Sequence, residues 1–179
     1  MSDNNNKKQL DYIKTIFSHN YGLIQLADTK ANILLGINSI LIPVIFGVMG
    51  LNFASLVDSG YLTQAFYLNL FSILSLIPLA ISFIFSILVI RARYSKELKN
   101  NIFFKEIISQ EYSKYKEIIL RSDDQFIKDD LLKEIYSLAK INKKKYKNYD
   151  YALWSLLIGL LFLILGYILI ISINFILIS

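Results

Sequence analysis

Three long runs of apolar residues alternate with polar segments along this chain, over 31–51, 65–90 and 152–178. About 20 apolar residues rising ~1.5 Å each cross the ~30 Å hydrocarbon core of a bilayer. None of the runs contains Asp, Glu, Lys or Arg, and a charge at mid-membrane costs about 2.5–3.5 kcal/mol. Soluble helices seldom run this long without a polar face. The pattern predicts three transmembrane helices over 31–51, 65–90 and 151–178. The second and third exceed the minimum length, so they tilt or extend beyond the core.

The polar segments have their own period. Leu10, Ile13, Phe17, Ile24 and Ala27 fall on one side of a helix over 7–28. The spacing predicts a cytoplasmic amphipathic element over 1–30 that runs into the first span. Pro43 is expected to kink that span. The segment 52–64, with Asp58, Ser59 and Gly60, reads as an extracytoplasmic loop. In 91–150, Phe104, Ile108, Tyr112, Tyr115 and Ile119 share one helical face, as do Ile127, Leu131, Ile135 and Leu138. Ser122, Asp123 and Asp124 between them form a turn and a helix cap. The expected fold is all-α, an integral membrane protein with three transmembrane helices and a cytoplasmic helical hairpin between the second and third. No internal repeat, low-complexity linker or second domain is expected.

Polar positions inside the spans are few and ordered. Ser72, Ser75, Leu79, Ser82 and Ser86 recur at spacings of three and four, forming one stripe. Such a stripe is either a close helix-packing face or a face that lines a watery path once subunits rearrange. Pro78 beside it offers a hinge. Deep in the first span, the Asn38 amide is expected to point at another helix.

Charge then sets orientation. The segment 91–150 carries 15 of the 19 Lys and Arg residues, whereas 52–64 has none. Lys7, Lys8, Lys14 and Lys30 precede the first span. Arg91, Arg93, Lys96 and Lys99 follow the second, and Lys140, Lys143, Lys144, Lys145 and Lys147 precede the third. Lys and Arg favour the cytoplasmic side, so the amino terminus is expected inside and the carboxyl terminus outside. Tyr149, Tyr151 and Trp154 suit an inner aromatic belt, and Tyr61, Phe66 and Tyr67 an outer one. The first span starts too late for an ordinary signal peptide and is expected to be retained. One protomer with three spans scarcely encloses a pathway, so a homo-oligomer in the bilayer is expected.

The net charge of +5 fits anionic lipid head groups, or else an anionic ligand such as a nucleotide. The search for reactive groups is mostly negative. With no cysteine there is no disulfide, thiolate metal site or redox chemistry. His19 is the one histidine, which argues against zinc or a catalytic triad. No Gly-rich phosphate loop is present. Asp123-Asp124 and Asp129-Asp130 are adjacent pairs that do not face each other on a helix. No enzyme activity, metal, cofactor or direct nucleic-acid contact is expected. A constitutive channel or transporter subunit, or a scaffold recruiting a partner through the hairpin, stay open as roles.

At the inner boundary of the first span lie Asp28, Lys30, Ala31, Asn32 and, further in, Asn38. Asn20, Asp28 and Asn32 share a face and form a polar line leading into the membrane. Asp28-x-Lys30-Ala31-x-x-Leu34-Leu35-x-x-Asn38 resembles the first-span signature of the transmembrane effectors of Pycsar antiphage systems, the PycTM family. Asn101-Ile102-Phe103-Phe104, Glu111-Tyr112, Leu138-Ala139 and Lys144-Lys145-Tyr146 extend the resemblance over most of the chain.

The resemblance implies a bacterial inner-membrane effector of abortive infection. It implies a cyclase encoded nearby that makes cyclic UMP or cyclic CMP, and loss of membrane integrity on response. Asp28, Lys30, Ala31, Asn32 and Asn38 are the candidates for gating. A mononucleotide needs a cation for its phosphate and an aromatic wall for its base. Arg121, Lys140, Lys144 and Lys145 are candidates for the first, and Phe103, Phe104, Tyr112 and Tyr115 for the second, though these aromatics also suit a hairpin core.

Overall fold

The structure is a computed structural model that describes residues 2–58, 62–91 and 104–178, with side chains described over 5–51, 69–91, 107–169 and 171–172. Among them every element is helical: α1 Ser2–Asp58, α2 Leu62–Ile90, α3 Phe104–Ser109, α4 Tyr112–Arg121 and α5 Asp124–Ile178. Three of these, α1, α2 and α5, are long and apolar enough to cross a membrane.

Helix α1 contains Pro43, and α2 contains Pro78. Each proline lacks an N–H and so frees one carbonyl four residues earlier. The first two helices run further into the expected loop than the apolar pattern suggests, to Asp58 and from Leu62. Tyr61, Arg93, Lys96, Lys99, Asn101, Ile102 and Phe103 lie outside the described residues.

The spacing from Phe104 to Ile119 suggests one helix, but the structure has two. Gln110 N donates to Ile107 O in a tight closing turn, and Glu111 is extended (φ −66°, ψ 138°) before α4 starts. No residue of α4 is buried, so little packing holds the segment as one straight helix. The turn into α5 follows expectation. Asp123 Oδ1 accepts from Phe126 N at 2.7 Å, capping the first turn of α5.

The described residues divide into two units, and α1 and α5 contribute to both. One unit draws on 1–27 and 92–145, the other on 28–91 and 146–179.

The second unit holds the spans and exposes much of its apolar surface. Many of its buried positions are small or polar: Ala31, Asn38, Ser75, Ser82, Ser86 and Ala152 are fully buried with Leu79 and Val89, beside an apolar cluster that adds Leu34, Ile45 and Leu156. Ile33, Ile40, Phe46, Ile77, Ile84, Trp154, Leu161 and Ile164 face outward. Lipid tails are as apolar as leucine, so burying leucine contributes little there. Small residues let the helices approach and gain dispersion contacts. Helices α2 and α5 run antiparallel: Phe71 meets Gly166, Leu79 meets Gly159 and Phe85 meets Tyr151.

In the first unit, α1 and α5 run parallel. Lys128 Nζ donates to Asn6 Oδ1 and Gln9 Oε1 at 3.2 and 3.3 Å. Further along both helices, Asn142 Nδ2 donates to Asn20 O at 3.0 Å. Buried Ile13, Ala27 and Leu138 share this seam with buried Lys128, Glu134, Asn142 and Lys145. The apolar period of 7–28 is therefore one side of a helix pair whose partner lies more than a hundred residues away.

Candidate functional site

The spanning unit holds a polar seam at its centre. Asn38 on α1 is fully buried and donates from Nδ2 to Ser82 Oγ on α2 at 2.9 Å. Its Oδ1 is buried and has no hydrogen-bond partner. Above and below Ser82 the stripe continues on the same face. Ser75 Oγ donates to Ser72 O at 2.7 Å, and Ser86 Oγ to Ser82 O at 2.8 Å. All four serines are buried. These hydroxyls bond their own helix and present a small surface, which is how a serine stripe lets two helices pack. In this arrangement the stripe is a packing face. The inward direction expected for Asn38 is the one observed.

Near the other end of the same unit sits Lys30. Its ammonium lies 5.9 and 5.5 Å from the ring centroids of Tyr146 and Tyr149 on α5. Ala31 beside it is fully buried, whereas Asn32 is exposed and Asp28 half-buried. The polar line drawn from Asn20 through Asp28 to Asn32 thus turns outward at its last member. Burial instead selects Ala31, Leu34 and Asn38, the positions that keep to the three-and-four spacing.

The residues suggested for a nucleotide have different settings. Phe103 is outside the described residues, and only the backbone of Phe104 is described, at the start of α3. Tyr112 is 77% exposed, which removes it from any core of the protomer, and Tyr115 is half-buried. Arg121 is exposed and pairs with Glu117 at 2.9 Å. Lys140 is exposed over the Tyr136 ring, Lys144 is exposed, and Lys145 is buried. Those three lysines therefore do not share one face of α5. On its exposed side, Lys133 donates to Asp129 at 2.6 Å, and this bond holds the ammonium above its ordinary pKa, aided by the charges of Asp129 and Asp130.

Three features had little signal in the sequence. Tyr146 and Tyr149 flank Lys30 only because α5 lies beside α1. Gly159 and Gly166 are seven apart and so share a face, but glycine alone does not name its partner. Asn142 sits inside the α1–α5 pair with its Oδ1 unsatisfied. Polar residues at such positions fix register at a cost in stability. Asn142→Leu is expected to raise the thermal stability of the purified protein, by on the order of 1 kcal/mol. A lowered midpoint would mean that the amide's bonds to Asn20 outweigh its unsatisfied oxygen.

Comparison with known protein families gives a match over most of the chain. The profile of the family described as Pycsar effector protein domain, PycTM, matches residues 12–172. No curated protein and no solved structure matches the chain.

Proposed function

The chain belongs to the PycTM family of Pycsar effector proteins, and from this premise we propose that it answers cyclic UMP or cyclic CMP by impairing the membrane of the infected bacterium. It is a multi-pass membrane protein with an effector role in antiphage defence. The finer reading adds a neighbouring cyclase as the source of messenger. It also adds a homo-oligomer in the inner membrane, with the amino terminus and the segment 91–150 cytoplasmic and the carboxyl terminus outside. The distribution of Lys and Arg supports that orientation.

The observation that carries the reading is the Asn38–Ser82 seam. The amide ties α1 to α2 through one bond and leaves its oxygen unsatisfied, which is more polarity than holding two spans together requires. Such a group costs free energy in an apolar setting, and it suits a face that becomes wet in a second arrangement. In that arrangement Ser72, Ser75, Ser82 and Ser86 line the path, and Asn38 and Pro78 control it.

A ligand shifts such an equilibrium only by binding the open arrangement more tightly. A near-complete switch needs about 5.5 kcal/mol of differential affinity, and several ligands per oligomer supply it jointly. Arg121, Lys140, Lys144 and Lys145, with Phe103, Phe104, Tyr112 and Tyr115, remain the candidates for binding the nucleotide. The test is membrane potential, read with a voltage-sensitive dye in bacteria expressing the chain. Depolarisation is expected only when a co-expressed cyclase raises cyclic UMP or cyclic CMP. An intact potential with both messengers present would reject the proposed response.

A further inference from the structure

Lys30 lies where α1 and α5 come close, beside buried Ala31 and opposite a stretch of α5 that includes buried Ala152. Its ammonium lies 5.9 and 5.5 Å from the ring centroids of Tyr146 and Tyr149. These tyrosines are three apart on α5 and so stand on neighbouring positions of one face. Tyr149 is anchored, because it packs against the apolar core of the spanning unit.

The same end of the unit gathers more positive charge. Lys147 Nζ lies 5.8 Å from the Tyr151 ring centroid. Arg91 is exposed just past α2, whose end is level with this part of α5 because Asn148 Nδ2 donates to Leu88 O. The nearby carboxylates are Asp28 and Asp150. Neither forms a salt bridge with Lys30, Arg91 or Lys147 among the described residues.

A half-buried ammonium beside two aromatic rings, with no salt bridge to a carboxylate among the described residues, is suited to an anion. Lysine binds phosphate as a point charge. One lysine at the centre matches a single negative charge better than a dianion. We propose that Lys30, Tyr146 and Tyr149 form a binding site for a phosphodiester monoanion, with the Lys30 ammonium meeting the phosphate oxygens and the two rings flanking it. Two sources share that chemistry: the head group of an anionic phospholipid, and a cyclic mononucleotide. The site belongs to the spanning unit and to its positive end, where anionic lipid concentrates. The nucleotide source rests on the function proposed above, and the lipid source does not.

The experiment uses the full chain in detergent micelles, with thermal unfolding followed by Trp154 fluorescence. Dioleoylphosphatidylglycerol, dioleoylphosphatidylcholine, cyclic UMP and cyclic CMP are titrated separately. Phosphatidylglycerol is expected to raise the unfolding midpoint at lower concentration than phosphatidylcholine. Lys30→Gln is expected to need about tenfold more phosphatidylglycerol for the same shift, the loss of one charge-assisted contact. Lys30→Arg should recover most of the response, Tyr146→Leu should weaken it, and Lys14→Gln, at an exposed position outside the site, should leave it unchanged.

If Lys30→Gln instead loses a shift produced by cyclic UMP or cyclic CMP, the site stands and its source is the nucleotide. Equal responses of wild type and both site variants to all four ligands would overturn the proposal. A wild type that ignores both nucleotides here and in the membrane-potential assay counts against the function. The phosphatidylglycerol arm is then still free to support or reject the site.

Discussion

Gly166→Leu is expected to disrupt the packing of the spanning helices more than Gly159→Leu, the corresponding change one glycine earlier on α5. A Cβ at Gly166 would lie 2.7 Å from Phe71 Cβ and 3.1 Å from its Cγ. Carbon atoms do not approach so closely, and a Cβ is tied to its backbone. The clash can be relieved only if α2 moves as a body. At Gly159 the clash is with Leu79 Cγ and Cδ2, at 2.8 and 2.9 Å, and with Ser75 O at 3.3 Å. Leu79 can rotate partly away, so Gly159→Leu is expected to cost less.

Overpacking typically costs about 1–3 kcal/mol, and Gly166→Leu is expected at the upper end or beyond it. Gly36 is the control, because an added Cβ there meets nothing within 4 Å. Gly36→Ala should stabilise α1 by roughly 0.5–1 kcal/mol, by restricting the unfolded chain. Thermal midpoints of the three variants in detergent decide the matter. Equal midpoints for wild type and Gly166→Leu would mean that α2 and α5 do not pack through this face.

Asn38→Leu is expected to separate stability from activity. The substitution removes a buried amide that makes one hydrogen bond to Ser82 and leaves one oxygen unsatisfied. Hydrogen bonds between spanning helices average about 0.6 kcal/mol, and losing the orphaned oxygen offsets part of that. The variant should therefore accumulate in the membrane at close to normal level. If the seam becomes the wetted path, leucine keeps it dry, and depolarisation by cyclic nucleotide should fall to background.

Asn38→Asp acts differently. A fully buried carboxylate must be charged at a cost of about 2.5–3.5 kcal/mol or stay protonated, and its level in the membrane should drop. The two readouts are the amount of protein in isolated membranes and the dye signal. Normal depolarisation by Asn38→Leu at wild-type level would remove Asn38 from gating.

The parts of the architecture legible in the sequence were those with a local cause. Runs without charge mark the spans, because a bilayer penalises charge whatever the partner helix. Asp123 is legible as a cap, because it acts on an N–H three residues away. Asn38 was expected to turn inward, because an amide in lipid needs a partner nearby. The break at Gln110 and Glu111 was not legible: the apolar spacing carries across it unchanged, and what is missing there is packing.

The sequence by itself determined that this protein is helical, that it has three helices able to cross a membrane, and that these carry a serine stripe and one deep amide. These follow from transfer free energies and from helical period, which need only neighbouring residues. The tertiary structure alone decided the pairing. Asn142 meets Asn20 across 122 residues, Tyr146 and Tyr149 lie beside the Lys30 ammonium, and Gly159 and Gly166 meet α2. A helix face states what it can bury but not against which helix. That choice rests on shape and on hydrogen-bond partners brought together only when α1, α2 and α5 pack.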